Sequence, residues 1–330
     1  MDGRVEPGHD GGKTMTATNL DRWPELAADA WRDTRTTLHL MTQVVGKIRL
    51  ALTPWQNHSW HVPLYVTARG LTTSPIPDRG RTFQIDFDFI DHVLWIRVSD
   101  GHYRQVMLRP MAVAEFYDET MSALEQLGIE VKISTMPSEI ADAVPFEQDT
   151  AHASYDEAAA RRFWHVLLSA NEVLGRFRTG FIGKVSPVHF FWGSFDLAVT
   201  RFSGRSAPQH PGGVPHLPDA VAREAYSHEV SSAGFWPGGG GIYDEAAFYS
   251  YAYPAPAGFA DAHVLPNEAG WSAALGEFLY PYAAMRVSDD PDTALMTFLQ
   301  STYVAAADLG HWDRSGLDCA LGQPGKCRAV

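Results

Sequence analysis

The chain has 330 residues, 45% of them hydrophobic, and a formal net charge of −13 at pH 7. This composition excludes a wholly disordered protein, and the acidic balance disfavours nucleic acid, which binds clustered Lys and Arg. No apolar run approaches the roughly 18 residues of a membrane span, and the N-terminus lacks the apolar core of a signal peptide. With only two cysteines, Cys319 and Cys327, no disulfide framework is expected, so we predict a cytoplasmic protein.

The first elements along the chain are a leader and a long helix. Residues 1–20 are polar and have no apolar period, which predicts a disordered leader. From Trp23 to Pro54 apolar side chains recur mostly at intervals of three, four and seven residues. That spacing predicts an amphipathic helix.

The rest of the first half alternates between strand and helix signals. Residues favouring strands fill 60–72, 83–89, 92–98 and 103–108. Asp100 and Gly101 suit the tight turn of a hairpin between the last two of these segments. A second helix is predicted over 110–128, followed by a short strand over 129–134. The first half, residues 21–136, is therefore predicted as a helix, antiparallel strands and a helix.

The second half, residues 155–312, repeats this plan. VVGKIR at 44–49 matches VLGRFR at 173–178, and a pattern of apolar and small residues from Ala112 to Gly128 recurs from Ala294 to Gly310. Amphipathic helices share a period, so chance similarity is the alternative explanation. Matches in the same order favour duplication. We therefore predict an α+β fold of two similar halves with pseudo-two-fold packing, strands inside and helices outside.

The segments between these halves complete the predicted organisation. Residues 137–154 are predicted as a linker and 313–330 as a C-terminal tail. The second half carries three apparent insertions, at 204–218, 236–241 and 253–270. Insertions of this kind often elaborate a surface or a binding site.

Three long strings carry a resemblance to a known family. They are HVPLYVTARGLTTSPIP at 61–77, SPVHFFWGSFDLAVTRFSGR at 186–205 and SHEVSSAGFWPGGGG at 227–241. On these strings the chain resembles an uncharacterised bacterial family, rich in actinobacterial members and catalogued as a domain of unknown function. The resemblance extends from Trp23 to about Trp312, and it implies no catalytic assignment.

The first candidate site is a cluster of histidines and one acid. His61 and His189 occupy matching places in the two halves, and His228 is followed directly by Glu229. Imidazole and carboxylate are ligands of zinc and of non-haem iron, so these four residues are the predicted ligands of a divalent metal. Their spacing matches no known metal motif, and a hydrogen-bonded core histidine is the alternative for each of them.

Two further candidates are weaker. Asp86 and Asp88 project from one strand face at a separation that suits paired-carboxylate chemistry, although two acids opposite a row of Phe and Ile more often mark a solvated face. The glycine-rich run 235–241 lacks the spacing of a phosphate-binding loop, and we interpret it as a flexible loop or lid.

Aromatic residues concentrate in the second half and predict a pocket. Arg201 lies near them in the sequence, and an arginine among aromatic rings suits an apolar or aromatic carboxylate. The predicted pocket residues are Trp192, Asp196, Phe235, Trp236 and Tyr251.

These observations lead to one favoured function and one alternative. The favoured function is a small-molecule enzyme with a site between the halves, in which His189, His228, Glu229 and Arg201 are catalytic. Zinc or iron is the cofactor that this set would hold. The alternative is a non-catalytic protein that binds a hydrophobic or aromatic small molecule.

Overall fold

A computed structural model describes residues 22–239, 241 and 243–328. The predicted leader at 1–20 lies outside the described residues. Within the described part of the chain, no helix is long and apolar enough to cross a membrane.

Helices account for the long amphipathic segments of the sequence. The α-helices in the described ranges are α1 Ala28–Leu52, α2 Val113–Gln126, α3 Glu157–Thr179, α4 Asp219–Ala225, α5 Tyr282–Arg286, α6 Pro291–Leu309 and α7 Arg314–Leu317. Short 3-10 turns span Asn57–Ser59, Phe146–Gln148 and Phe259–Asp261. The carboxylate of Asp156 caps α3 by accepting from the amide of Ala159, which satisfies one donor of its first turn.

The strands form two antiparallel sheets. The first contains β1 Tyr65–Thr67, β2 Gly70–Thr72, β3 Ile76–Asp78, β4 Arg81–Asp88, β5 Val93–Val98 and β6 Tyr103–Met107. The second contains β7 His189–Phe191, β8 Asp196–Ser206, β9 His228–Trp236, β10 Ala247–Tyr253, β11 Gly270–Ser272 and β12 Glu277–Pro281. The mixed α+β class predicted from the sequence is confirmed.

Along the chain, each sheet follows a long helix, α1 or α3, and precedes a second helix that we call its closing helix, α2 or α6. The order is β1-β2-β4-β5-β6 in the first sheet, where β3 pairs with β4, and β11-β12-β10-β9-β8-β7 in the second. A bridge between Leu64 and Phe190 joins the sheets, with two backbone hydrogen bonds of 2.8 Å. The first strands of the two sheets therefore lie next to each other.

Strict alternation in β4 produces the buried face of the first sheet. Phe83, Ile85 and Phe87 are at most 2% exposed, because alternate side chains of a strand point to the same face. The predicted hairpin is also present: β5 and β6 pair from Val93 opposite Met107 to Arg97 opposite Tyr103.

The second sheet has two unlike faces. Leu197, Val199 and Phe235 are fully buried on the face that packs against α3 and α6. The opposite face carries smaller and more polar side chains, including Asp196, Ala198, Thr200, Ser232 and Tyr251. This second face forms the floor of the cavity described below.

One local prediction was wrong. Residues 129–134 form no strand; the amide of Ile129 bonds to the carbonyl of Leu124 at 2.9 Å, closing the end of α2 instead of a sheet. In the second sheet, β7 and β8 are separated by a turn at 192–195, where Phe195 has φ 61°. The turn makes this segment a hairpin, with His189 opposite Ala198.

Candidate functional site

A cavity of about 550 Å³ lies on the open face of the second sheet. Its floor comes from β7 to β10, and its other walls come from the end of α1, the segment 55–62, the segment 134–139 and the segment 214–226. A volume of this size is typical of small-molecule sites, which span roughly 300–1,000 Å³. Both halves of the chain therefore contribute to one cavity.

Aromatic side chains form a large part of the apolar wall. The rings that line the cavity are those of Trp55, Trp60, Phe191, Trp192, Phe202, Tyr226, Tyr249 and Tyr251. The indole nitrogen of Trp192 donates to the carbonyl of Val62 at 2.9 Å, and the hydroxyls of Tyr226 and Tyr251 lie 2.9 Å apart. These hydrogen bonds hold polar atoms of the rings to the wall, so that their apolar faces can meet a ligand.

Asp196 is the acidic residue of the cavity floor. Its two carboxylate oxygens accept hydrogen bonds from the hydroxyls of Ser194 and Tyr249. Burial raises the pKa of Asp196, and these two hydrogen bonds partly oppose that effect. The raised pKa of Tyr249, also caused first by burial and then by the charge of Asp196, keeps the phenol protonated as the donor.

Glu139 brings a second carboxyl into the same cavity. Its backbone amide donates to the carbonyl of Pro215 at 2.9 Å, and its carboxylate lies directly over Gly193, where a Cβ atom would meet Oε1 at 2.0 Å. Glu139 is exposed to solvent and lines the cavity, although protein atoms surround its carboxyl. Burial, followed by the charge of Asp196, raises the pKa of Glu139 to about 7.

A third acid lies at the edge of this group. Glu277 on β12 lies outside the cavity lining, and burial, followed by the charge of Asp196, raises its pKa to about 7. Three carboxyls whose pKa values are raised together are unusual for a solvated surface, where acids stay ionised at neutral pH. Such perturbed groups in a concave site are typical of functional centres, although structural networks also produce them.

The strings at 61–77, 186–205 and 227–241 contribute side chains to the cavity and to the sheet beneath it. A family model matches residues 23–319. The chain belongs to DUF5996, a family of unknown function. No curated protein and no solved structure matches the chain. The family resemblance predicted from the sequence is confirmed, and the cavity of this DUF5996 chain has to be interpreted from its own geometry.

The four predicted metal ligands do not gather in one place in the DUF5996 chain. In the described ranges, no three His, Cys, Asp or Glu side chains form a group that could hold a metal ion. Glu229 is paired with Arg205 at 2.6 Å, and His228 lies 3.0 Å from the Ser227 hydroxyl. His61 Nδ1 accepts from the amide of Gln56 at 3.2 Å. Glu229, His228 and His61 are therefore each bonded to a different partner and do not share one ligand position.

His189 is the one member of that set that lines the cavity. It is 1% exposed, its Nδ1 has no hydrogen-bond partner among the described residues, and burial lowers its pKa to about 3. The imidazole is therefore neutral. The hairpin also places His189 on the same sheet face as Asp196, whereas a single strand would place them on opposite faces.

Arg201 does not reach the cavity, contrary to the prediction. It is 1% exposed on the helix-facing side of β8, where its guanidinium lies 3.5 Å from the ring centroid of Phe177 and 4.3 Å from that of Tyr303. A side-chain donor of Arg201 bonds to the Phe177 carbonyl. Its position is that of a structural cation inside an aromatic cage.

The predicted pocket residues divide into two groups. Trp192, Asp196 and Tyr251 line the cavity. Phe235 does not, because it faces the helices and packs against Phe248 with ring centroids 5.2 Å apart. Trp236 lies at the end of β9 and packs against Tyr243 and its neighbours.

The weaker candidates have structural partners. Asp88 is 4% exposed, pairs with Arg69 at 2.5 Å and accepts from the amides of Ile90 and Asp91. Asp86 pairs with Arg97 at 2.8 Å. Both lie in the first sheet, away from the cavity lining.

The glycine-rich run rests on a buried arginine. Arg35 donates to the carbonyls of Pro237 and Asp244 at 3.4 and 3.3 Å, and a Cβ atom at Gly239 would meet its guanidinium at 2.7 Å. This part of the run is therefore fixed to α1.

Sequence reasoning missed Glu139 and Lys47, which both line the cavity. Glu139 falls within the predicted linker, and Lys47 looks like an ordinary solvated residue of an amphipathic helix. The sequence gives one signal for Lys47, which lies between Gly46 and Ile48 in the apolar part of the predicted helix. In the structure every residue from Leu40 to Arg49 is buried. A helix buried on every side places its charged residues in the interior.

Proposed function

We propose that this protein is an enzyme that performs general acid–base chemistry on a small, largely apolar molecule held in the cavity. The observation that carries the proposal is the placement of Glu139 and Asp196 in one aromatic-lined cavity. Enzymes that move protons at neutral pH need an acid whose pKa lies near 7, and burial beside a second carboxyl produces one.

The two acids have different surroundings and therefore different roles. Asp196 is fixed from both sides by Ser194 and Tyr249, so it acts as the stationary charge that keeps the proton on its neighbour. Glu139 faces the cavity and has no side-chain hydrogen-bond partner in the described residues. Glu139 is thus the group that gives a proton to the substrate or takes one from it, and the neutral His189 borders the same space.

A second function is supported by the same lining. Apolar and aromatic residues make up most of the wall, so the cavity also suits a protein that binds an apolar compound without changing it. The distinction lies in whether Glu139 is needed for conversion or only contacts the ligand.

The experiment that separates the two functions uses the low-molecular-weight fraction of a bacterial extract. Purified protein is incubated with this fraction, and compounds that disappear or form are followed by mass spectrometry. We expect a compound that the wild type and the surface control Glu125→Gln convert, and that Glu139→Gln and Asp196→Asn leave unchanged. A compound that all four proteins bind and none converts would favour the binding function, and conversion by Glu139→Gln would refute the acid–base proposal.

We further propose that the two halves descend from one duplicated α+β unit related by a pseudo-two-fold axis. Both halves run from a long helix through an antiparallel sheet to a closing helix. The matching arginines Arg49 and Arg178 make similar bonds: the Nε of each donates to a carbonyl beyond the helix end, His61 at 2.7 Å and Ser186 at 2.6 Å. On this proposal the cavity formed where the two copies meet.

The two free cysteines also support a location in a reducing compartment such as the cytoplasm.

A further inference from the structure

Lys47 introduces a positive charge into the cavity wall without a counterion. It is 6% exposed on α1 and lines the cavity. Its ammonium donates to the hydroxyl of Ser138 at 3.0 Å and lies 5.9 Å from the ring centroid of Trp192. In the described part of the chain, no carboxylate lies within ion-pair distance of Lys47 Nζ.

A buried ammonium of this kind is unsatisfied. An ammonium has three donors, and Ser138 Oγ is the one acceptor bonded to Lys47 Nζ among the described residues. Burial lowers its pKa to about 8, so most molecules still carry the charge at pH 7. Buried charges in proteins are ordinarily paired, because an unpaired one costs several kcal/mol of desolvation.

The acids of the cavity do not supply the missing partner. Asp196 already accepts from Ser194 and Tyr249. Glu139 is half protonated near pH 7 because of its burial and the charge of Asp196. The cavity therefore combines a cation at Lys47 with one carboxylate, Asp196, that other groups already hold, and one acid, Glu139, that resists ionisation.

We propose that the ligand of the cavity is an apolar or aromatic monocarboxylate whose carboxylate binds Lys47. Its body then lies against Trp192 and the neighbouring apolar side chains Leu50 and Val62, which line the same wall. A single ammonium suits one carboxylate, whereas a phosphate would call for several donors such as an arginine fork or a row of backbone amides. The inference deepens the proposed function by naming the substrate class, and it rests on the same cavity.

The test compares naphthoate with naphthamide, two probes of nearly equal shape that differ in charge. Affinities are measured by titration calorimetry at pH 7 for the wild type, Lys47→Met and the surface control Lys132→Met. We expect the wild type and Lys132→Met to bind naphthoate at least about tenfold more tightly than naphthamide, since a charge-assisted hydrogen bond contributes that much. Lys47→Met should lose the preference.

Three results would overturn the inference: equal affinity of the wild type for the two probes, no binding of naphthoate, or a preference that survives in Lys47→Met. Methionine fills the space of the lysine stem, and replacing an unpaired buried charge by an apolar side chain tends to preserve or raise stability, so the variant should fold. Glu139→Gln should retain naphthoate binding. Loss of conversion with retained binding in that variant therefore tests the proposed function separately.

Discussion

Replacing Gly46 by alanine should destabilise the protein through the wall of the cavity. Gly46 lies in the last third of α1, where a Cβ atom would meet Cδ1, Cγ and Nε1 of Trp192 at 2.2–2.3 Å. Carbon atoms in contact lie about 3.5–4.0 Å apart, so the indole would have to move by more than 1 Å. That movement breaks the hydrogen bond from Trp192 to Val62.

The magnitude follows from opposing effects. Forcing extra atoms into a packed core costs about 1–3 kcal/mol, and loss of a buried hydrogen bond adds about 1 kcal/mol. Alanine in place of glycine within a helix returns about 1 kcal/mol. We therefore expect Gly46→Ala to lower the free energy of unfolding by about 2 kcal/mol.

Gly175 in α3 provides the matched control, because it aligns with Gly46 in the matching sequences at 44–49 and 173–178 and a Cβ atom there would meet nothing within 4 Å. Gly175→Ala should gain only the helix preference of about 1 kcal/mol. Urea unfolding followed by tryptophan fluorescence measures both variants. If Gly46→Ala were as stable as Gly175→Ala, the contact between α1 and Trp192 would be wrong.

Three further predictions follow from the same structure. Glu139→Gln should stabilise the protein at pH 8 and have little effect at pH 5. The pKa of Glu139 is raised to about 7 in the folded state, so the wild-type protein loses stability as the pH rises from the pKa of the unfolded state towards about 7. Thermal unfolding at the two pH values measures the gain, which contact of Glu139 with solvent limits to about 1 kcal/mol. Phe116→Ala and Phe298→Ala should each cost about 3–5 kcal/mol in urea unfolding, because both rings are fully buried in closing helices; an unchanged midpoint for either one would contradict the proposed equivalence of those helices. Arg201→Met should lower the unfolding midpoint but leave naphthoate affinity unchanged, because the guanidinium contacts Phe177 and not the cavity. Weaker naphthoate binding with normal stability would instead show that Arg201 contacts the ligand.

The elements of regular structure were largely predictable because their signals are local. The period of α1 and the alternation of Phe83, Ile85 and Phe87 depend on neighbours a few residues away. The strand predicted at 129–134 failed for a non-local reason. Its apolar residues fit a strand, but a strand also needs a partner edge, and the sequence does not encode which edge is free.

The candidate site was less predictable because it depends on which sheet face each side chain occupies and on contacts between distant segments. One turn at 192–195 moved Asp196 to the sheet face of His189, and no periodicity reveals such a turn. Glu139 enters the cavity through a bond to Pro215, 76 residues further along the chain. Paired histidines are visible in a sequence, whereas a single acid in an irregular segment carries no pattern.

The most direct test of the acid–base proposal is a carbon-13 NMR titration of the glutamate carboxyls between pH 4 and pH 9. The account predicts two signals that titrate near pH 7, those of Glu139 and Glu277, one of which disappears in Glu139→Gln. A spectrum in which every glutamate titrates near its ordinary value of about 4.3 would contradict it.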